Sequence, residues 1–146
     1  MPVAQLRDRD AARLLSGYAP FFQNNISLLQ KARKGLQPKA VFDFMLISDL
    51  PNKLVETVLN KSLKTFQNYK DRKTVLDAIT TEKLLKLFAL YSKGIEVFGS
   101  IDAFSDWLSR PAYGLGNQVP QTIMDTMTGV DLIQEELTRI AYGDLG

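Results

Sequence analysis

The stretch Thr81-Glu-Lys-Leu-Leu-Lys-Leu-Phe-Ala-Leu-Tyr-Ser-Lys-Gly-Ile-Glu-Val-Phe-Gly99 carries the clearest periodicity in the chain. Leu84, Phe88, Tyr91, Ile95 and Phe98 step by four, three, four and three residues, which lines one side of an α-helix and fits no strand. Leu87 widens that face, and Gly99 supplies a stop. Beyond it, Ser100 is placed to cap a helix with Asp102 in its first turn and Ile101, Phe104, Trp107 and Leu108 inside, halted by Pro111. After a Gly114-Leu-Gly116 turn, Pro120 starts a short helix to about Met127. A last helix buries Val130, Ile133, Leu137 and Ile140 and ends at Gly143.

Upstream the same grammar continues. Ser62 caps a helix from Leu63 to about Arg72, and Asn60, which tolerates positive φ, closes the helix before it. That preceding helix has Pro51 in its first turn and Leu54, Val55, Val58 and Leu59 as its stripe. Pro38 begins another, running to about Ile47 with Val41, Phe42, Met45 and Leu46 as the expected buried side. Phe22, Ile26 and Leu29 fall at i, i+4 and i+7 and predict a helix from Phe21 to Arg33, stopped at Gly35. Val3 to about Gly17 reads as a marginal helix or arm, broken by Tyr18-Ala-Pro20. No alternating strand pattern, repeat or low-complexity tract interrupts this, so the expected fold is all-α.

Composition narrows the function. The 146 residues are 45% hydrophobic and 23% charged, as in an ordinary globular chain long enough to bury a core. There is no Cys and no His. That removes disulfides, thiolate chemistry, most transition-metal sites and the side chain best suited to proton transfer near neutrality. No carboxylates converge in the sequence, and Gly114-Leu-Gly116 lacks the strand and spacing of a dinucleotide loop. No catalytic residue, metal or cofactor is therefore expected. The N-terminus carries charges at Arg7, Asp8, Arg9, Asp10 and Arg13 without an apolar signal core, and no run matches a membrane span, so a cytoplasmic protein is expected.

Charge is unevenly spread. Residues 1–98 hold 16 Lys and Arg against 9 Asp and Glu, whereas residues 99–146 hold 2 against 7. This pattern fits a basic surface for phosphates and an acidic surface for a basic partner; chance distribution over a short chain is the plain alternative. Residues 51–72 have the form of a helix-turn-helix, with six basic and two acidic residues over 51–73. In such motifs the second helix enters the major groove. Lys64, Gln67 and Asn68 then face outward, with Leu63 and Phe66 behind them. Gln and Asn can pair with adenine, and Lys can reach guanine or phosphate. A solvated helix pair is the competing reading.

The C-terminal region reads as an interaction surface. Tyr113 and Leu115 lie in a Gly-rich loop where large apolar groups are hard to bury, and Trp107, Tyr113 and Tyr142 are residue types enriched at binding hot spots. Asp125, Asp131, Glu135, Glu136 and Asp144 are expected to form a negative rim. Trp107 and Leu115 could equally close the core, and for Trp107 that reading is preferred.

These features, in this order, resemble the Xre/MbcA/ParS-type antitoxins that pair with RES-domain toxins. The resemblance is carried by Arg33-Lys-Gly-Leu36, Leu59-Asn-Lys-Ser-Leu-Lys-Thr-Phe-Gln67, Glu96-Val-Phe-Gly99 and Trp107-Leu-Ser-Arg-Pro111. Leu115-Gly116 followed by Pro120, Met124-Asp-Thr126, Gly129 and Arg139-Ile-Ala-Tyr-Gly143 complete it. It covers residues 31–146 and implies a Cro/repressor-like helix-turn-helix over 31–79 and a helical toxin-binding domain over 80–146; residues 1–30 lie outside it and read as an N-terminal arm or helices for dimerisation. The implied DNA-contacting residues are Lys61, Ser62, Lys64, Thr65, Gln67, Asn68, Lys70 and Arg72. The implied toxin-contacting residues are Arg110, Tyr113, Leu115, Asp125, Arg139, Tyr142, Gly143, Asp144, Leu145 and Gly146. Family toxins resemble ADP-ribosyltransferases and consume NAD. The resemblance therefore implies an antitoxin expected to cover the toxin's active site and to repress its own operon, as a dimer or larger complex with toxin. This chain departs from the pattern at Asn68, Tyr69 and Lys70, where such helices commonly carry several Arg, and at Asn60, where the turn often has Gly. A repressor whose C-terminal domain mainly drives oligomerisation is the second reading.

Overall fold

The computed structural model describes residues 3–143. Among these, eight α-helices follow in order: α1 Val3–Phe22, α2 Asn25–Lys34, α3 Lys39–Ser48, α4 Asn52–Leu59, α5 Leu63–Asp71, α6 Ala78–Phe98, α7 Ile101–Leu108 and α8 Met127–Ala141. Two 3-10 turns, Tyr113–Leu115 and Pro120–Ile123, join α7 to α8. The only extended pairing among the described residues is an isolated bridge between Ala112 and Gln118.

Helix α6 is the axis. Asp77 caps it by accepting from the Thr80 N–H, so it begins a turn earlier than Thr81, and Gly99 closes it in the left-handed conformation. Leu84, Leu85, Leu87, Phe88, Leu90 and Tyr91 are all fully buried, which leaves little of the middle of this helix for solvent. It packs against α1, α2, α3, α4, α7 and α8. Lys86 bonds Asp131 and Lys93 bonds Thr138, so α6 and α8 run parallel. The C-terminal end of α2 is tied to the start of α6 by Leu36 N–H donating to Thr81 Oγ1 at 3.1 Å and Leu76 N–H donating to the Leu36 carbonyl at 2.8 Å.

An aromatic chain runs along α6. Tyr18 stacks on Phe88 at 4.3 Å, and Phe44 meets Phe88 and Tyr91 edge-on at 6.2 and 5.7 Å. Tyr91 then meets Phe104 at 5.1 Å, and Phe104 stacks on Trp107 at 6.1 Å. Offset and edge-to-face arrangements of this kind add to area burial. One continuous hydrophobic core thus joins α1 to the C-terminal helices.

Four expectations are corrected. Helix α1 does not break at Tyr18-Ala-Pro20; it continues to Phe22 with Pro20 inside. Pro20 falls in the last turn, where its missing N–H costs one bond, and Tyr18 anchors that turn by stacking on Phe88 and donating to the Asp43 carboxylate. Ile26 and Leu29 are exposed rather than buried, at 70% and 49%. Asn24 caps α2, so Phe22 lies outside this helix, and the docking of α2 on α6 turns Leu28 and Ala32 to the core instead. Leu46 likewise points outward at 68%, because Ala40, Phe44 and Ile47 form the inner side of α3. Pro120 opens a 3-10 turn to Ile123, not a helix to Met127.

Helices α6 and α7 meet at Gly94. A Cβ there would lie 2.4 Å from the Phe104 ring. Gly94→Ala should lower stability by about 1–3 kcal/mol through overpacking. Gly17→Ala, in the exposed interior of α1 with nothing within 4 Å of its Cβ, should raise it by roughly 0.5–1 kcal/mol. Urea midpoints of the two variants should move in opposite directions, with unchanged slopes.

Candidate functional site

Two surfaces present the residues singled out above. The first is the α4–α5 pair. Val55, Val58 and Leu59 bury the inner side of α4, and Phe66, wholly buried, pins α5 from behind. Asn60 turns the chain at φ 58°, a left-handed conformation that Asn accepts readily. Ser62 then caps α5 by accepting from Thr65 N–H at 3.1 Å. A second cap comes from outside the helix: Glu56 of α4 accepts from Leu63 N–H at 2.7 Å. A carboxylate at this positive helix end fixes the angle between the two helices. In the sequence Glu56 counts only as a charge opposing DNA; its distance in sequence from Leu63 hides the bond.

Lys64, Gln67, Asn68, Lys70 and Arg72 are all exposed on α5 and its end. Gln67 donates to Asp71 at 3.1 Å, and Lys70 lies over the Phe42 ring at 5.6 Å. Ser62 and Thr65 bond one another through their hydroxyls at 2.9 Å. Lys61 is drawn inward: its ammonium donates to Thr80 Oγ1 at 3.0 Å and pairs with Asp77 at 3.4 Å. Burial alone would push the Asp77 carboxyl up, but the Thr80 hydrogen bonds and the Lys61 charge together hold it below its ordinary value. Lys61 thus braces the turn against α6.

The second surface is formed by the end of α7, the turn Tyr113–Leu115 and the last turns of α8. Tyr113 and Tyr142 are exposed at 76% and 86%. Arg110 is exposed and pairs with Asp106 at 3.0 Å. Leu115, by contrast, is buried, because the turn folds it under while Tyr113 points out. Trp107 is half-buried against Phe98 and Phe104, packed on the core as preferred above. Gly143 adopts φ 77° directly after the Tyr142 cap. Asp144, Leu145 and Gly146 lie outside the described residues.

Glu136 is not part of an acidic rim. It is 97% removed from solvent, on the same side of α8 as Ile133 and Ile140, and accepts from Arg139 Nε at 3.1 Å. Its carboxylate fills the space beside Gly114, where a Cβ would lie 1.3 Å from Oε2. The i+3 and i+4 relation to Ile133 and Ile140 was the signal in the sequence that this acid faces inward.

Asp125 also stands apart. It precedes α8, whereas Arg139 sits in its last turn, about 20 Å along the axis. Its carbonyl accepts from the Asn60 amide at 3.4 Å, beside the turn between α4 and α5. Nearby, burial pushes the Lys83 ammonium down, with the Asp125 charge opposing that shift. The second surface therefore groups Tyr113, Arg139 and Tyr142 with Trp107 and Glu136, while Asp125 belongs to the seam with α4.

Among the described residues no helix is long and apolar enough to cross a membrane, and no His, Cys, Asp and Glu group could hold a metal. No curated protein matches the chain significantly. Two family models do match. Residues 27–89, which contain most of α2, all of α3 to α5 and about half of α6, match the antitoxin Xre-like helix-turn-helix domain. Residues 93–143, which contain the second surface, match the antitoxin Xre/MbcA/ParS C-terminal toxin-binding domain. Neither is an enzymatic family. Following one another along a single helical core, the two matched domains make this chain a member of the Xre/MbcA/ParS-type antitoxins.

Proposed function

We propose that the chain neutralises a RES-type, NAD-consuming toxin by covering its active site with the domain over residues 80–146, and represses its own operon through the helix-turn-helix over 31–79. The observation that carries this reading is the succession of an Xre-like helix-turn-helix and a toxin-binding domain in one short chain. The toxin-facing residues are Tyr113, Arg139 and Tyr142, with Arg110 at the edge; Gly143, Asp144, Leu145 and Gly146 belong to the same contact. The Asp144 carboxylate can compete for basic residues that hold the phosphates of NAD. Leu115 supports Tyr113 from beneath, and Asp125 belongs to the toxin contact only if the toxin extends to the seam with α4.

On the DNA side, Lys64, Gln67 and Asn68 read base edges, and Lys70 and Arg72 meet phosphates. Ser62, Thr65 and Lys61 hold the turn in place. The protein works as a dimer, through residues 1–30, or in a larger complex with toxin.

Co-expression with a RES-type protein from the same operon should give a co-eluting complex on size-exclusion chromatography, with NAD consumption suppressed. Separate elution with undiminished NAD consumption would defeat the reading. Removal of residues 142–146 should weaken neutralisation at least tenfold while the helical circular-dichroism spectrum persists. Lys64→Ala combined with Gln67→Ala should abolish operator binding in a gel-shift assay, and the wild-type affinity should fall steeply with salt as phosphate counterions are displaced.

A further inference from the structure

Trp107, Ala112, Tyr113, Gly114, Glu136 and Ile140 line an open cleft of about 190 Å³ on the second surface. Its chemistry is unusual for a surface hollow. The Glu136 carboxylate, 3% exposed, forms part of its lining, while two aromatic rings and the Ile140 side chain supply the rest of the walls. Tyr113 is 76% exposed. Arg139 bonds Glu136 but does not line the cleft, so the group presented to an incoming side chain is the acid and not the guanidinium. Gly114 makes this arrangement possible, since any larger residue would displace the carboxylate.

We infer that this cleft is a receptor for a cationic side chain, an arginine or lysine of the toxin, held between the Trp107 and Tyr113 rings with its charge on Glu136. The inference rests on the toxin-binding reading of this surface and specifies what the partner brings to it. Aromatic faces attract cations, most strongly where water is excluded. A carboxylate already out of water makes short, charge-assisted bonds to a guanidinium or ammonium. A carboxylate ligand would meet Glu136 with like charge and is disfavoured. The segment over residues 99–146, with 2 basic and 7 acidic residues, adds a field of the same sign.

Trp107 is the only tryptophan in the chain, so its fluorescence reports the cleft directly. The probe is Nα-acetyl-arginine-N-methylamide, titrated into the full-length protein, with the corresponding acetyl-glutamate amide as comparison. The arginine compound should give a saturable change at millimolar concentration, and the glutamate compound none. Glu136→Gln should weaken arginine binding at least tenfold. Because that buried position could disturb folding, Tyr113→Ala, at an exposed site, provides a second variant and should weaken it about threefold to tenfold. In the complex with the RES-type toxin, both variants should raise the dissociation constant and flatten its salt dependence.

If no RES-type toxin binds but the arginine response is present and lost in Glu136→Gln, the cleft stands and the partner assignment falls. If the toxin binds wild type and both variants equally and the arginine compound gives no response, the cleft proposal is overturned while the antitoxin reading survives. A response to the glutamate compound alone would also overturn it, by placing Arg139 as the recognising group.

Discussion

Everything in this molecule depends on hiding helix α6. A helix with an apolar stripe needs one neighbour, but one that is buried on nearly every side through its middle must be surrounded. The Leu84–Tyr91 stretch leaves almost no exposed surface there, and each flanking helix contributes part of the cover. This is why the chain has no clean division of its core where the helix-turn-helix match ends and the toxin-binding match begins. Helix α6 enters under the first and leaves under the second. Its length, set by the Asp77 cap and the Gly99 stop, fixes the separation of the two surfaces.

The N-terminal helix reinforces this union with polar contacts that reach far along the chain. Asp8 accepts from the Ile101 N–H at 2.9 Å and so joins Ser100 in capping α7. Arg7 pairs with Asp102 in the same turn and reaches the Ile47 and Ser48 carbonyls at the end of α3. One arginine thus touches a negative helix C-terminus and an acid of a different helix, where its charge is favourable in both places. Surface pairs contribute little singly, but caps leave fewer orphaned backbone donors and hold orientations firmly.

What the sequence disclosed, and what it concealed, follows from the range of each interaction. Ser62, Ser100 and Asn60 act on residues within one turn, so their roles are legible from local spacing. The α6 seam is legible because it is long enough for its period to be unambiguous. Helix α2 has ten residues and apolar groups on two sides, so nothing local distinguishes Leu28 and Ala32 from Ile26 and Leu29. Only the docking of α2 on α6 chooses between them. The cap that Asp8 supplies to α7 and the inward pull of Thr80 on Lys61 join residues 93 and 19 apart, beyond any helical window, and Glu56 reaches Leu63 only because the turn sets α4 beside the start of α5. For the same reason Glu136 reads in the sequence as part of a rim, whereas it lies buried against Gly114.

Glu136 also shows where stability has been given up on the partner-facing surface. Removing a carboxylate from water costs several kcal/mol unless it is well paired, and an apolar residue of similar size is often at least as stable in its place. Here the pairing that the described residues supply is a single i+3 arginine, itself 39% exposed. Ile133 and Ile140 on the same side of α8 show what the fold itself would favour at that position. A buried acid flanked by Trp107 and Tyr113 is therefore poorly explained by folding and well explained by recognition. Its desolvation has already been met in the free protein, so a cation arriving from a partner gains the full benefit of a preorganised acceptor. The same logic separates the two surfaces. On α5 the charges of Lys64, Lys70 and Arg72 remain outside in water. On α8 the charge is held inside, where only a side chain that enters the cleft can reach it.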